Sequence, residues 1–174
     1  MRQILIFTGN GKGKSSAAFG TAIRALGHEN RVLIIQFLKQ FEDTGELKLL
    51  QKLDLPNLHI HQSGAGFYKI KGDTNPEEKH KKAAKKALLA LHHELTEFKP
   101  NLVILDEINV ACSLELIDPE IIIDIIESHP ETSFILTGRN APPQFQEIAD
   151  LITDMQEVIH PFQKGIQAQK GIDF

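Results

Sequence analysis

The chain is poor in cysteine, in large aromatics and in excess positive charge. Cys112 is its single cysteine, so no internal disulfide can form, and the reading is a protein of a reducing compartment, the cytoplasm. Tryptophan is absent and tyrosine occurs once, at Tyr68, which leaves little for an aromatic platform on which nucleobases stack. The 19 Lys and Arg are outnumbered by 23 Asp and Glu, for a net charge of −4. Sequence-independent nucleic-acid binding normally leaves a cationic footprint, so no nucleic-acid partner is expected. No apolar run approaches the ~20 residues that cross a bilayer, and Ile4 to Phe7, the first such run, is too short for a signal peptide. Neither an internal repeat nor a low-complexity linker is visible. What remains is 174 residues with 41% hydrophobic content, enough for one domain over residues 1–174.

Apolar runs alternate with helical patterns along the whole chain. Strands are predicted at Ile4 to Phe7, Val32 to Phe37, Leu58 to Gln62, Leu102 to Leu105, Ser133 to Leu136 and Leu151 to Ile159. Helices are predicted at Ser15 to Leu26, Thr44 to Leu53, Pro119 to Ser128 and Pro142 to Ile148. The clearest helix follows Asn75, read as its cap, with Ala84, Leu88, Leu91, Leu95 and Phe98 as the core stripe. Lys99-Pro100 ends it. Continuous apolar strands between helices predict an α/β fold with a mostly parallel sheet covered on both faces. Ligands of such sheets gather at the carboxyl ends of the strands. That rim collects Thr8 to Ser15, Gln36 to Lys39, Gly64 to Tyr68, Asp106 to Asn109 and Thr137 to Asn140.

The segment Thr8-Gly9-Asn10-Gly11-Lys12-Gly13-Lys14-Ser15 carries the strongest signal. Its glycines permit φ > 0, so main-chain N–H groups can turn toward one anion. The helix that follows adds its positive end. Lys14 supplies a point charge for phosphate oxygens, and Ser15 supplies a hydroxyl for magnesium. Ser16 continues the nucleotide-binding run. The strict phosphate-loop pattern has Gly where this chain has Thr8; the match is complete at Gly13-Lys14-Ser15. A Gly-rich turn with incidental lysines is the weaker alternative. Lys12 is either a second phosphate contact or a solvated side chain.

Leu102 to Leu105 runs into Asp106 and Glu107. An acidic strand end opposite a phosphate loop can hold magnesium directly or through water; Glu107 has the ribose and a polarised water as further options. An acidic strand end in solvent is the alternative. No protein nucleophile is evident. Cys112 reads as a packed core thiol. His59 and His61 share a strand face, and with no third ligand they read as facing solvent or a hydrogen-bond partner. His92 and His93 fall on a helix flank. The lysines from Lys79 to Lys86 read as a solvated helix face, with docking of an acidic partner the minor alternative.

These residues resemble the P-loop type of ATP:corrinoid adenosyltransferases. The resemblance rests on the loop Thr8 to Ser15 with Ala17-Ala18-Phe19-Gly20 after it, on Arg24 to His28, Gln36-Phe-Leu-Lys39 and Leu105-Asp-Glu107. It extends through Leu136-Thr-Gly-Arg139, Ala149-Asp150 and the tail His160-Pro-Phe, Gly165 to Gln169 and Gly171 to Phe174. Thr8, odd for a general ATPase, is normal in that family. The resemblance implies attack of a Co(I) corrinoid on the 5′ carbon of ATP with release of triphosphate, ATP lying reversed along the loop. It implies Lys12 and Lys14 as catalytic charges, and a nucleotide site of Thr8, Gly9, Asn10, Gly11, Lys12, Gly13, Lys14, Ser15, Ser16 and Arg139. Arg139 has a surface ion pair as its alternative.

The resemblance further implies magnesium held by Ser15 and an acid of the Asp106-Glu107 pair, which of the two being open. It matches Gly66-Phe67-Tyr68 to the corrinoid-facing segment, where apolar rings exclude the lower axial ligand and leave four-coordinate Co(II); ordinary loop packing is a near-equal alternative. A homodimer and an electron-donating reductase or flavodoxin follow from the resemblance alone. The chain departs from the family's usual pattern at Lys69, where a second large aromatic is common, and at Gln40, where Gly is common. Longer relatives carry an N-terminal extension over the active site, whereas here the first strand begins at once. Competing readings are a P-loop ATPase or small-molecule kinase acting at the γ-phosphate, and a non-catalytic ATP- or corrinoid-binding carrier.

Overall fold

A parallel sheet of six strands forms the centre, in the order β3-β2-β4-β5-β1-β6. The computed structural model describes residues 2–38, 44–66 and 75–173. The strands are β1 (Ile4–Thr8), β2 (Val32–Gln36), β3 (Leu58–Gln62), β4 (Leu102–Asp106), β5 (Ser133–Thr137) and β6 (Leu151–Asp154). Every pairing between neighbours is parallel. The helices are α1 (Lys14–Leu26), α2 (Gly45–Leu53), α3 (Glu77–Glu97), α4 (Ile108–Ser113), α5 (Pro119–Glu127) and α6 (Pro143–Ile148). No described helix is long and apolar enough to cross a membrane.

Alternation along the strands sorts the core into two layers, because successive side chains point to opposite sheet faces. On one face Phe7, Val32, Ile34, Leu102, Ile104 and Ile135 pack against Ala18, Phe19 and Ala22 of α1 and Leu47 and Leu50 of α2. On the other, Ile6, Leu33, Ile35, Val103, Leu105 and Phe134 meet Ala84, Ala87, Leu91 and Leu95 of α3, together with α4, α5 and Phe145 of α6. Strands covered on both sides need no polar alternation, which is why β2 and β4 are buried at every position. Truncating a buried leucine such as Leu91 would cost about 2–5 kcal/mol through lost burial and a residual cavity.

Several boundaries differ from the sequence expectation. Pro76, not Asn75, is the cap residue of α3. Asn75 instead donates to the Ala65 carbonyl and accepts from Lys79 Nζ. Strand β6 ends at Asp154 rather than Ile159, because the chain turns there to run beneath the β1–α1 loop. Helix α4 has no counterpart in the sequence expectation; it is short, and it follows a residue with left-handed backbone, Glu107 at φ 65°. In the α3 stripe, Ala84, Leu91 and Leu95 are buried while Leu88 and Phe98 are partly exposed. The same stripe buries Glu94, whose carboxylate receives His59 Nδ1 and His61 Nε2, each at 2.7 Å. That settles the histidine pair as hydrogen-bonded, with His59 also stacked on Phe98 at a centroid distance of 3.8 Å. Cys112 is buried, and burial pushes its thiol up to about 12, as a packed thiol requires. His92, His93 and the lysines at 79, 81, 82, 85 and 86 are exposed.

Candidate nucleotide site

Residues 9–13 join β1 to α1 at the carboxyl rim. Gly9 and Gly13 have φ values of 96° and 110°, a region closed to most L-residues. Space is as restrictive as backbone angle. A Cβ on Gly9 would lie 2.1 Å from Asp154 Oδ1 and 2.5 Å from the Met155 carbonyl oxygen. One on Gly11 would lie 2.7 Å from that same oxygen. The stretch after β6 therefore underlies the loop and braces it: Gly11 N–H donates to the Met155 carbonyl at 2.6 Å, and Met155 N–H to the Thr8 carbonyl at 2.9 Å. The Gly11 N–H is thus committed to this brace rather than to an anion in the loop. Thr8 has its own use for a side chain, since its Oγ1 accepts the Ala141 N–H at 3.3 Å. A glycine there would lose that tie between β1 and the segment after β5.

Lys14 is buried at the start of α1. Its Nζ donates to the carbonyls of Gly9 at 2.8 Å and Gly11 at 2.5 Å, so it lies across the loop's mouth. An ammonium has three N–H donors, and two go to the loop itself. Its pKa is lowered from the ordinary 10.5, chiefly by burial; Glu107 opposes this, Arg139 adds to it and Asp154 opposes it. Those charges therefore converge on Lys14. Arg139, exposed at the end of β5, reaches the Asn10 carbonyl with Nη2 at 3.4 Å. A polar cavity of about 550 Å³ opens beside them, lined by Gly9, Asn10, Arg139, Asp154, Gln156 and Glu157. Lys12 is half-exposed and ion-paired with Asp173 of the tail, while Ser16 is exposed on the first turn of α1.

Asp106 is fully buried at the end of β4. Its Oδ1 accepts from Ser15 Oγ at 2.7 Å and Thr137 Oγ1 at 2.8 Å, and its Oδ2 from Gln36 Nε2 at 2.8 Å. Glu107 is turned by its left-handed backbone out of the strand; its N–H donates to Thr137 Oγ1 at 3.0 Å. A Cβ on Gly138 would stand 3.1 Å from Glu107 Oε2, so the Glu107 carboxylate lies over Gly138. The two acids thus differ: Asp106 organises Ser15 from below, while Glu107 is partly exposed. Oxygen donors alone (a hydroxyl and two carboxylates) gather here, a set suited to a hard divalent cation such as magnesium.

The structure brings Thr8 to Ser15, Asp106, Glu107 and Arg139 to one place. Gly66 follows β3, whose residue Gln62 is in register with Gln36, so it belongs to the same rim; Phe67 and Tyr68 lie outside the described residues, as does Lys39. Gln36 and Thr137 belong to rim segments read from the sequence, though with no role given them; Gln62, Asp154 and Asp173 join the site without having been placed on that rim. For Gln36 a signal existed, an amide closing an otherwise wholly apolar strand.

The whole chain, residues 1–174, matches the family model described as ATP:corrinoid adenosyltransferase BtuR/CobO/CobP. The chain belongs to this family. Among its relatives is a corrinoid adenosyltransferase of Sinorhizobium sp, 36% identical over 98% of this chain and 79% of the relative. Another, from Pseudomonas aeruginosa, is 37% identical over 98% of this chain and 83% of the relative. A third, from Escherichia coli K12, is 33% identical over 98% and 85%. All three are named corrinoid adenosyltransferase. The match runs through the tail to residue 174.

Proposed function

We propose that this protein transfers the 5′-deoxyadenosyl group of ATP to the cobalt of a Co(I) corrinoid and releases triphosphate. The reading is carried by one observation. In a chain of this family, a glycine loop is closed by buried Lys14 and joined through Ser15 to an acid at the end of β4. The corrinoid is the nucleophile. Its cobalt supplies the electron pair of the new Co–C bond, the C5′–O bond breaks, and triphosphate departs with that bond's electrons. The protein's part is then positioning and charge. Lys14 and Lys12 meet the negative charge gathering on the leaving triphosphate; a well-aimed donor of this kind is worth about 3 kcal/mol of barrier. Arg139 and the loop residues from Thr8 to Ser16 contact the nucleotide.

Magnesium fits the oxygen set. Ser15 Oγ donates its hydrogen bond to Asp106, an orientation in which its oxygen could ligate a cation, and Glu107 supplies a carboxylate nearby. Bound there with the phosphates, magnesium would neutralise their charge. In this arrangement Asp106 supports Ser15 and Glu107 is the direct ligand. We assign the corrinoid to the segment Gly66-Phe67-Tyr68 on the strength of the resemblance alone. One domain over 1–174, a homodimer, a cytoplasmic setting, and a reductase or flavodoxin that donates the electrons reducing the corrinoid cobalt to Co(I) complete the reading.

The test is anaerobic incubation with ATP, magnesium and a chemically reduced corrinoid. A light-sensitive cobalt–carbon product together with intact triphosphate is expected. ADP as the nucleotide product would instead make the chain an ATPase or kinase, and binding without a new Co–C bond would make it a carrier.

A further inference from the structure

A row of polar side chains crosses the carboxyl rim beneath the nucleotide site. Gln62 on β3 is in register with Gln36 on β2, and Gln36 with Asp106 on β4. Thr137 at the end of β5 follows in line. Side chains join the row as the backbones do: Gln62 Nε2 donates to Gln36 Oε1 at 2.8 Å, Gln36 Nε2 to Asp106 Oδ2 at 2.8 Å, and Thr137 Oγ1 to Asp106 Oδ1 at 2.8 Å. Gln36 is 1% exposed. A buried carboxamide at the end of a strand otherwise built from Val32, Leu33, Ile34 and Ile35 must satisfy both its ends. Its orientation is fixed by chemistry: a carboxylate only accepts, so the NH2 end must face Asp106 and the oxygen must face the donor on Gln62. The row ends on Ser15, which donates to the same Asp106 oxygen as Thr137.

We propose that Gln36, oriented by Gln62, is a positioning residue for the nucleotide site. Its amide holds the Asp106 carboxylate in the one rotation that receives Ser15, and so sets where Ser15 Oγ meets the cation and the triphosphate. This rests on the reading of the loop as a magnesium–ATP site. Replacing Gln36 by leucine leaves the Asp106 Oδ2 atom without its amide donor and frees the carboxylate to rotate away from Ser15. Replacing it by glutamate sets carboxylate against carboxylate, a clash that a proton on the new side chain would relieve.

Calorimetric binding of ATP with and without magnesium tests this, with circular dichroism to check folding. Gln36→Leu is expected to weaken magnesium–ATP binding about tenfold, the range for residues that orient a metal-site ligand. Binding of ATP without the cation should change far less, and the KM for corrinoid should stay put. Gln36→Glu should lose affinity at neutral pH and regain it, relative to wild type, as pH falls. Gln62→Met should give a smaller loss in the same direction, and with Gln36→Glu it carries the test if the leucine variant does not fold. Unchanged magnesium–ATP affinity, an equal loss with and without magnesium, or a loss in Gln36→Glu indifferent to pH would each overturn the proposal. Failure of the wild type to bind magnesium–ATP would instead sink the functional reading beneath it.

Discussion

Ser15 Oγ lies 2.7 Å from Asp106 Oδ1, though 91 residues separate them in the chain. The bond unites the first turn of α1 with the end of β4, two segments that share a site because only β5 separates β4 from β1 in the sheet. Ser15→Ala and Asp106→Asn should each lower magnesium–ATP affinity by about 10–100-fold. The double variant should lose little more than the worse single one, because both act through one contact. Additive losses in a binding titration would mean that the two residues act separately.

Lys14 gives a second expectation. Its pKa lies below 10.5, mainly through burial, so its positive charge disappears at lower pH than that of a solvated lysine. The alkaline limb of nucleotide binding should therefore fall below pH 10.5. Arg139 contributes to the lowering, so Arg139→Gln should move that limb upward while weakening binding overall. A limb that stays in place in this variant would separate Arg139 from Lys14. Lys14→Ala should abolish transfer and leave the fold intact, seen as an unchanged circular dichroism spectrum with no cobalt–carbon product.

The strands and their parallel arrangement were legible because a sheet covered on both faces demands continuous apolar runs, and β1, β2, β4 and β5 supply them. The phosphate loop was legible because its glycines, Lys14 and Ser15 are adjacent in sequence. Everything set by long-range register was not. The strand pattern puts Gln36 and Asp106 on one rim, but nothing local reveals that their side chains bond, that Gln62 joins the row, or that Met155 underlies Gly11. Helix α4 was hidden because a left-handed Glu107 precedes it and only six residues, Ile108–Ser113, form it. Asp106 and Glu107 could not be told apart in the sequence because they are neighbours; the burial of one and the turned backbone of the other distinguish their surroundings.

Gly9 offers a test of the brace beneath the loop. Its φ of 96° and the 2.1 Å that would separate a Cβ from Asp154 Oδ1 both oppose any side chain. Gly9→Ala should cost about 1–3 kcal/mol, the scale of local backbone strain, and should largely eliminate nucleotide binding. Paired with Asp154→Ala, which removes the obstructing carboxylate, part of the binding should return. No recovery would leave backbone angle and the Met155 carbonyl as the whole cause.

Glu94 makes acid stability testable. Burial alone would push its carboxyl up, yet hydrogen bonds from His59 and His61, aided by their charge, hold it below the ordinary 4.5. A carboxyl whose pKa is depressed on folding stabilises fully above its unfolded value, and that contribution fades as pH falls through the folded value. Both imidazoles keep solvent-facing sides, 42% and 36% exposed, which screens the interaction and holds its worth to about 1–2 kcal/mol. Glu94→Gln should lower Tm at neutral pH, and the gap from wild type should narrow as pH falls below the ordinary 4.5 and through the lowered folded value. A gap that persists unchanged in acid would mean that Glu94 stabilises through packing alone.

Lys12 completes the set, because its partner belongs to the tail. Asp173 pairs with Lys12 and its other carboxylate oxygen accepts the Gln169 N–H at 2.7 Å, so the tail's acid occupies the lysine assigned to triphosphate. If both anions seek one ammonium, removing the internal one favours the other. Asp173→Asn should tighten triphosphate binding by about 2–5-fold, a modest figure because Lys12 is half in water and such exposed pairs are weak. The gain should vanish in the Lys12→Ala background, where no ammonium is left to contest. Inhibition constants for triphosphate in the four proteins measure both effects, and equal constants with and without Asp173 would show that Lys12 serves the tail rather than the nucleotide.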